Sequence, residues 1–525
     1  MKTEQTRNTT FETIEQEVEV LRDKNESLQL ENEALKFRLK QLERIVFGSR
    51  SEKIKPEDEN PNQLSLFEVP VEQPEEPKEE EPPKKKQRRP GRKPIPCHLE
   101  ERVEIITVPL DKTFDEFGEK LFLLGYDISE RLEYVPGFFR RVVLKKERWG
   151  YRDTRDPIFI APTPKAIVPK GKFTDSFLHF VVFQKFFMSI PLYRQIQDYS
   201  ATGVEISKSV LADLIKQFSG FYRAIVEAVR IEILSGGFIG CDETHIKCQG
   251  LKKGPMKNGY FWVFRNEKGC YFQYGATKSH EELLLFFGLE GESLSSVSEK
   301  LQWEGYFLSD GAGVFDCFFE KTKVTEARCW SHARRKFFDV KANASKANWF
   351  LERIGQLYQI EKEVKAERDK WNWSEEEFYA NRFQVRQDKS KAIVEEIEVE
   401  MLQLKNSGHF TPHHPMTGAL NYLYNQYPKL KVFLGNGQLP IDNNYTEQSI
   451  KSSVIGRKNF LFVGSEDGGR WGASCYTLTE SCRILGIDPR EYFKRATEGL
   501  HQGEAPEKLT PYALKDQIRA IPKNH

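Results

Sequence analysis

The chain has 525 residues, with 79 lysines and arginines against 78 aspartates and glutamates for a formal charge of +1 at pH 7; several domains are expected, because one ordinary core does not organise that length. Eight cysteines scattered without a paired CxxC framework, a charged N-terminus and no secretory leader argue against a disulfide-stapled secreted protein. The most apolar stretch, residues 177–187, contains His179, Gln184 and Lys185 and is too short to span a bilayer, so the expected setting is a reducing cytoplasm with no membrane partner.

The first element, residues 8–50, is expected to be a coiled coil. Ile14, Leu21, Leu28, Leu35 and Leu42 recur every seven residues, and Phe11, Val18, Asn25, Asn32, Leu39 and Val46 fill the companion core positions. Asparagine in such a seam lowers stability but selects one register and few strands, which predicts a parallel homodimer. Residues 51–96 turn polar and rich in proline and glutamate, the composition of a disordered linker. The linker ends in a basic run, Lys84-Lys85-Lys86-Gln87-Arg88-Arg89-Pro90-Gly91-Arg92-Lys93-Pro94. Clustered cations kept extended by proline and glycine suit contact with a nucleic-acid backbone and a minor groove; a solvated charge run beside an acidic one is the plainer alternative.

Residues 97–169 read as a small β-rich module from the alternation in 103–108 and 138–148. Residues 170–235 turn helical. Within them Pro191-Leu192-Tyr193-Arg194-Gln195-Ile196 leads through a Gly203 turn to Ser207-Lys208-Ser209-Val210-Leu211-Ala212, a helix-turn-helix-like layout with a serine cap. Such a layout reads DNA in some proteins and only packs in others.

Two apolar runs follow that each end in a carboxylate, Phe238-Ile239-Gly240-Cys241-Asp242-Glu243-Thr244 and Gly305-Tyr306-Phe307-Leu308-Ser309-Asp310-Gly311. Between them, the aromatic stretches 260–265 and 271–277 flank Asn266-Glu267-Lys268-Gly269 and read as a β-hairpin. A first core segment is therefore expected over 236–340. Residues 341–436, with charged helical patterns at 354–370 and 390–404, read as a helical insertion. The core resumes over 437–470 with Asp442-Asn443-Asn444-Tyr445-Thr446-Glu447-Gln448-Ser449-Ile450-Lys451. There an asparagine is expected to cap a helix that carries Glu447 in its first turns, and Asp442 to help order that cap. Residues 471–525 form a C-terminal helical region.

Asp242, Asp310 and Glu447 are the candidate catalytic and metal-binding residues. Phosphodiester cleavage or strand transfer develops charge on an attacking and a leaving oxygen, which two hard cations roughly 4 Å apart stabilise together. Magnesium, with manganese as substitute, takes oxygen ligands, and three carboxylates are its expected set. Glu243 is expected on the opposite strand face from Asp242. Cys329 and His332 in Cys329-Trp330-Ser331-His332-Ala333-Arg334-Arg335-Lys336 have metal-ligand spacing without a second pair. A four-ligand zinc site is therefore not expected; Cys329 and Trp330 are read as packing near the acids and His332 as contacting a phosphate or carboxylate. Arg334, Arg335, Lys336, Arg457 and Lys458 join Lys84, Lys85, Lys86, Arg88, Arg89, Arg92 and Lys93 as candidate DNA contacts, with Asn443 and Asn444 in support.

Cys241-Asp242-Glu243-Thr244, Ser309-Asp310-Gly311, the Cys329 to Lys336 string with Phe337-Phe338-Asp339, Asp442-Asn443-Asn444 through Glu447, and Ile455-Gly456-Arg457-Lys458-Asn459-Phe460-Leu461-Phe462 together resemble the insertion-sequence-66-type (IS66 family) bacterial transposases. Phe47-Gly48-Ser49-Arg50-Ser51-Glu52-Lys53 and Pro191-Leu192-Tyr193-Arg194-Gln195 extend the resemblance over nearly the whole chain. It implies a multidomain α/β protein with an RNase H-like catalytic core and a DDE triad at Asp242, Asp310 and Glu447. It implies DNA transposition, with terminal inverted repeats and target DNA as partners at the bacterial nucleoid and with small accessory proteins encoded by the same element. Family members carry a cysteine-rich zinc module before the core, whereas residues 111–152 contain no cysteine, so zinc is not carried over to this degenerate region. Two other classes are distinguishable by experiment: a nuclease of the same fold, which cuts without joining, and a coiled-coil DNA-binding regulator, which loses nothing when Asp242 or Asp310 becomes asparagine.

Overall fold

A computed structural model describes residues 164–521 except 251–254, 312 and 343, together with residues 148–149 and 159–160 and a few isolated positions. The chain forms two compact units, Met1–Gln63 with Lys146–His525, and Leu64–Lys145. The coiled coil expected at 8–50, apart from Lys24, Asn32, Leu35 and Lys36, which are helical, lies outside the described residues. So do the linker with its basic run and most of the module expected at 97–169. Of that module, β1 (Arg148–Trp149) pairs antiparallel with β2 (Phe159–Ile160).

Among the described residues from 164 onward, four helices precede the sheet: α1 (Asp175–Val182, continued by a wider turn through Phe187), α2 (Leu192–Ala201), α3 (Lys208–Phe221) and α4 (Arg223–Leu234). The α2–α3 connection has the expected local form, with Gly203 at φ +80° and Ser207 accepting the Val210 amide at 3.4 Å. Its apolar side is not free. Leu211, Leu214, Ile215 and Phe218 are buried in a core shared with the sheet and the C-terminal helices, so these helices pack as part of the body.

The sheet comprises β3 (Phe238–Cys248), β4 (Lys257–Arg265), β5 (Cys270–Gly275), then, after α5 (Glu281–Phe286) and α6 (Leu294–Lys300), β6 (Tyr306–Ser309), and after α7 (Asp316–Phe319), β7 (Thr325–Arg328). Its order is β5-β4-β3-β6-β7; β3, β4 and β5 are antiparallel neighbours, whereas β3, β6 and β7 run parallel. The hairpin turns at 266–269, closed by the Asn266 amide donating to the Gly269 carbonyl at 3.2 Å.

From β7 the chain enters α8 (Trp330–Val340), α9 (Ala347–Trp371), α10 (Glu375–Val385), α11 (Lys391–Asn406) and α12 (Pro415–Leu430). A capping box at Ser374 and Glu377 starts α10. Arg386, fully buried, donates to the carbonyls of Phe433, Asn436 and Leu439 at 2.7–2.9 Å and to Glu361 at 2.6 Å. It thereby fixes the segment that returns the chain to the sheet. There α13 (Asn444–Phe460) packs on β3, β8 (Phe462–Val463) pairs with the end of β3, and α14 (Glu466–Leu485) and α15 (Pro489–Gln502) complete the body.

Strand alternation sorts the core. Ile239, Cys241, Trp262, Phe264 and Phe307 bury on one face with α4 to α7. Phe238 and Leu308 point the other way, into the cluster formed with α8, α9, α11 and α12. Farther along that second face Ile246, Phe261 and Val263 meet α13, α14 and the N-terminal helices. The stretch of sheet between these two clusters is where the acids lie.

Candidate active site

Gly240 of β3 and Leu308 of β6 are partners in parallel register, and Asp242 and Asp310 each stand two residues further on. The two aspartates therefore emerge side by side from adjacent strands on the face of Phe238 and Leu308. Glu243 lies on the other face, where Lys278 forms an ion pair with it. Asp242 is half-buried, and its carboxyl is pushed well above the ordinary carboxylate range by burial first and then by the charges of Glu243, Asp310 and Glu447. The Glu243 amide, donating to Asp242 Oδ1 at 2.8 Å, works in the opposite direction. Lys278 has its ammonium held above the usual lysine range: burial opposes this, but the hydrogen bond and charge of Glu243, and the charges of Asp310 and Asp242, prevail.

The start of α13 is clamped against β3. Asn443 occupies the cap position, but its side chain makes no cap hydrogen bond; Nδ2 donates instead to the Cys241 carbonyl at 2.8 Å, directly before Asp242. This corrects the expectation of an asparagine side-chain cap, because the buried strand carbonyl captures that amide. Asp442 takes over the local ordering, accepting from the Asn444 amide at 3.2 Å and from Asn444 Nδ2 at 2.8 Å. Burial lifts the Asp442 carboxyl to about 6 against hydrogen bonds from Tyr358 and Asn444. The approach is close: a Cβ on Gly240 would lie 2.2 Å from Thr446 Oγ1 and 2.9 Å from Asn443 Oδ1. Arg265, at the end of β4, adds a second clamp through Ser449 Oγ at 2.8 Å, the Tyr445 carbonyl and the Tyr445 ring face at 3.8 Å.

Cys329 begins α8 and Asn443 begins α13, and the two starts are joined. The Asn443 amide donates to Cys329 Sγ at 3.2 Å, and the Trp330 amide to the Ile441 carbonyl at 3.2 Å. One turn into α8, His332 Nδ1 lies 3.9 Å from Glu447 Oε1. Among the described residues the one group of three metal-ligand atoms lying within 4.8 Å of one another is Cys329, His332 and Glu447, not the three carboxylates. Glu447 thus faces Cys329 and His332 while its charge also reaches Asp242.

Beneath Asp310 lies a network absent from the sequence reading. Arg328 is 3% exposed; it donates to Ser309 Oγ at 2.8 Å, pairs with Glu326, and reaches Asp316 at 3.5 Å. Lys429 of α12 closes on Glu326 at 2.5 Å. Gly311 takes φ +100° over the Arg328 guanidinium, which would lie 3.3 Å from an added Cβ. No spacing signal distinguishes this arginine from a surface one. Lys278 and Arg265 were likewise missed, because their partners come from distant strands and helices.

The candidate DNA contacts divide. Lys84 to Lys93 lie outside the described residues. Arg335 and Lys336 are exposed on α8, with Lys336 Nζ 5.2 Å from the Tyr422 ring centre, while Arg334 is half-buried on the side of Tyr358. Arg457 turns inward and donates to Thr244 Oγ1 at 3.0 Å and to the His245 carbonyl, so it braces β3; Lys458 is exposed. The chemistry of the Asp242 and Asp310 pair fits a hard divalent cation, since both offer carboxylate oxygens and positive charge beside Asp242 would offset the charge of Asp310 that disfavours its ionised form. No described helix is long and apolar enough to cross a membrane.

Residues 170–471 match the family described as Transposase IS66 family, and residues 34–105 match one described as Transposase C of IS166 homeodomain. Three proteins of Sinorhizobium fredii (strain NBRC 101917 / NGR234) are similar to this chain. The uncharacterized protein y4qI is 28% identical over 482 residues, 89% of this chain and 85% of its own length. The uncharacterized protein y4jD is 24% identical over 509 residues, 91% and 94% of the two chains, and y4hP is 26% identical over 423 residues, 77% and 73%.

Proposed function

The chain belongs to the IS66 transposase family, and from that premise we propose that it is the DDE-type transposase of an insertion element, with Asp242, Asp310 and Glu447 as its catalytic carboxylates on an RNase H-like core. The observation that carries this reading is the parallel register of Gly240 with Leu308, which sets Asp242 beside Asp310, together with the Asn443 to Cys241 hydrogen bond, which brings the helix bearing Glu447 to the same strand. The sheet order β5-β4-β3-β6-β7 and the helices inserted before Glu447 support the fold assignment.

Water would first cleave a phosphodiester at an element end, leaving a 3′-hydroxyl. That hydroxyl would then attack a target phosphodiester, forming the new phosphorus–oxygen bond as the target's own 3′-oxygen leaves. Asp242, Asp310 and Glu447 would hold magnesium or manganese, which would supply charge stabilisation for the attacking and leaving oxygens. The protein's own part is placement. Arg328 holds the Ser309 to Gly311 turn, Arg265 and Asn443 hold α13, and Lys278 balances Glu243 behind the site. Exposed Arg335, Lys336 and Lys458 are suited to phosphate contact. The basic run at 84–93 would grip the terminal repeats, and the heptads of residues 8–50 would pair two copies so that both ends are held at once.

The test is magnesium- or manganese-dependent cleavage and joining of DNA carrying the element's ends. Wild type is expected to join ends to target, and Asp242→Asn, Asp310→Asn and Glu447→Gln to bind without reacting. Variants that react like wild type would refute the triad, and cutting without joining would identify a nuclease.

A further inference from the structure

We propose that Cys329, His332 and Glu447 form a binding site for a zinc-class divalent ion, separate from the site for the hard cation, and that an ion bound there holds Glu447 away from Asp242 and Asp310. The second half rests on the triad reading given above; the binding itself does not.

The donor set decides the ion class. A thiol, an imidazole and a carboxylate are the ligands zinc takes, whereas magnesium prefers oxygen and water. Cys329 and His332, three apart in the first turn of α8, face the same way, and Glu447 comes to them from the first turns of α13. This supplies the third ligand that the Cys329 and His332 pair lacks in the sequence. With zinc–ligand bonds of ~2.0–2.3 Å, tetrahedral ligand atoms stand about 3.4 Å apart. The observed atoms lie within 4.8 Å of one another, and the His332 to Glu447 pair is already at 3.9 Å. Both of these side chains are partly exposed, at 32% and 40%, so small rotations close the remaining gap around the fixed, buried Cys329.

One further feature points to a cation. The Nδ1 atom of His332 is shielded from solvent and has no hydrogen-bond partner. Three protein ligands leave a fourth position for water or a phosphate oxygen, reached from the exposed side of His332 and Glu447.

The experiment uses the full-length protein freed of metal with a chelator. Zinc is titrated in competition with a chromophoric chelator, and cobalt(II) is added separately as a spectroscopic probe. Wild type is expected to take one equivalent through this site, and the cobalt form to show thiolate-to-metal charge transfer and tetrahedral ligand-field bands. His332→Ala and Glu447→Gln are expected to weaken zinc binding at least ~10-fold, the lower bound for losing even a supporting partner of a ligand, whereas Asp242→Asn leaves it unchanged. Equal zinc binding by wild type and His332→Ala, or a cobalt spectrum without a thiolate band, overturns the site. Because His332 is partly exposed, its replacement does not depend on refolding a buried thiol. Magnesium-supported joining that continues undiminished with the site filled by zinc overturns the withdrawal of Glu447. A protein that binds zinc as described and never joins DNA supports the site and refutes the transposase chemistry.

Discussion

Replacing Gly240 by alanine tests the clamp that places Glu447. The new Cβ would fall 2.2 Å from Thr446 Oγ1 and 2.9 Å from Asn443 Oδ1, where ordinary contact begins at 3.4 Å, so a gap of about 1.2 Å must open. Thr446 and Asn443 are fully buried, and Asn443 is tied to the Cys241 carbonyl at 2.8 Å. The gap must therefore open mainly by moving α13 away from β3. Overpacking of this kind costs about 1–3 kcal/mol, and misplacing a catalytic group by ~1 Å lowers rate about 100-fold. Thr446 Oγ1 has no hydrogen-bond partner, so Thr446→Ala alone should cost no more than about 1 kcal/mol while removing the nearer clash. The urea midpoint followed by tryptophan emission, and the single-turnover cleavage rate with magnesium, are measured for both single variants and the double variant. The double variant should regain at least ~1 kcal/mol relative to the sum of the singles, with the Asn443 contact keeping the rescue partial. Additive losses, or a Gly240→Ala rate within about threefold of wild type against the ~100-fold expected from displacement, would refute the close approach as the device that sets Glu447.

Arg328→Met leaves buried Glu326 to Lys429 alone and releases Ser309, and is expected to destabilise by about 1.5–3 kcal/mol, as loss of a hydrogen bond to a charged group does; the urea midpoint checks this. For Asp242 the sign follows from a folded-state proton affinity raised above the unfolded value. The associated stability is fully present below about pH 4, the unfolded carboxylate range, and is lost as pH rises through the higher folded value. In chelator, Asp242→Asn should therefore flatten the fall in stability above pH ~4 and be more stable than wild type at neutral pH, as urea midpoints across pH would record. Lys458→Ala should reduce the salt slope of DNA binding by about 0.9 with stability unchanged. Arg457→Ala should instead lower the urea midpoint, because its guanidinium braces Thr244 and His245.

Elements whose apolar pattern is local could be read from the chain. The runs ending at Asp242 and Asp310, the aromatic hairpin, and the charged helices before Glu447 carry their period in consecutive residues. Their bounds differ mainly at the ends: β3 continues to Cys248 because its last residues pair with the start of β4 on one side and, on the other, with β8, a partner more than 200 positions away. The separation of residues 170–235 from 471–525 was misleading for the same reason. Each stretch is amphipathic on its own, but Tyr222 of one donates to the Phe493 carbonyl of the other at 2.9 Å, and both close over the same sheet face.

The acids themselves were legible because carboxylates at the ends of apolar runs are conspicuous; what positions them was not. Asn443 looks like a cap in sequence and acts as a strand clamp, because the carbonyl of Cys241 offers a buried acceptor that no local pattern displays. Arg457 looks like a phosphate ligand and acts as a brace for the same kind of reason. Glu447 shows the consequence most directly. Its place in the first turns of α13 leads to the expectation that it joins the aspartates, yet the clamp that seats α13 on β3 also staples α13 to α8 through Cys329. One helix start thus presents the same carboxylate to two donor sets, Asp242 with Asp310 and Cys329 with His332. Under the two-site proposal, which set would hold Glu447 depends on the ion offered, because hard oxygen donors and a thiol–imidazole pair select different cations.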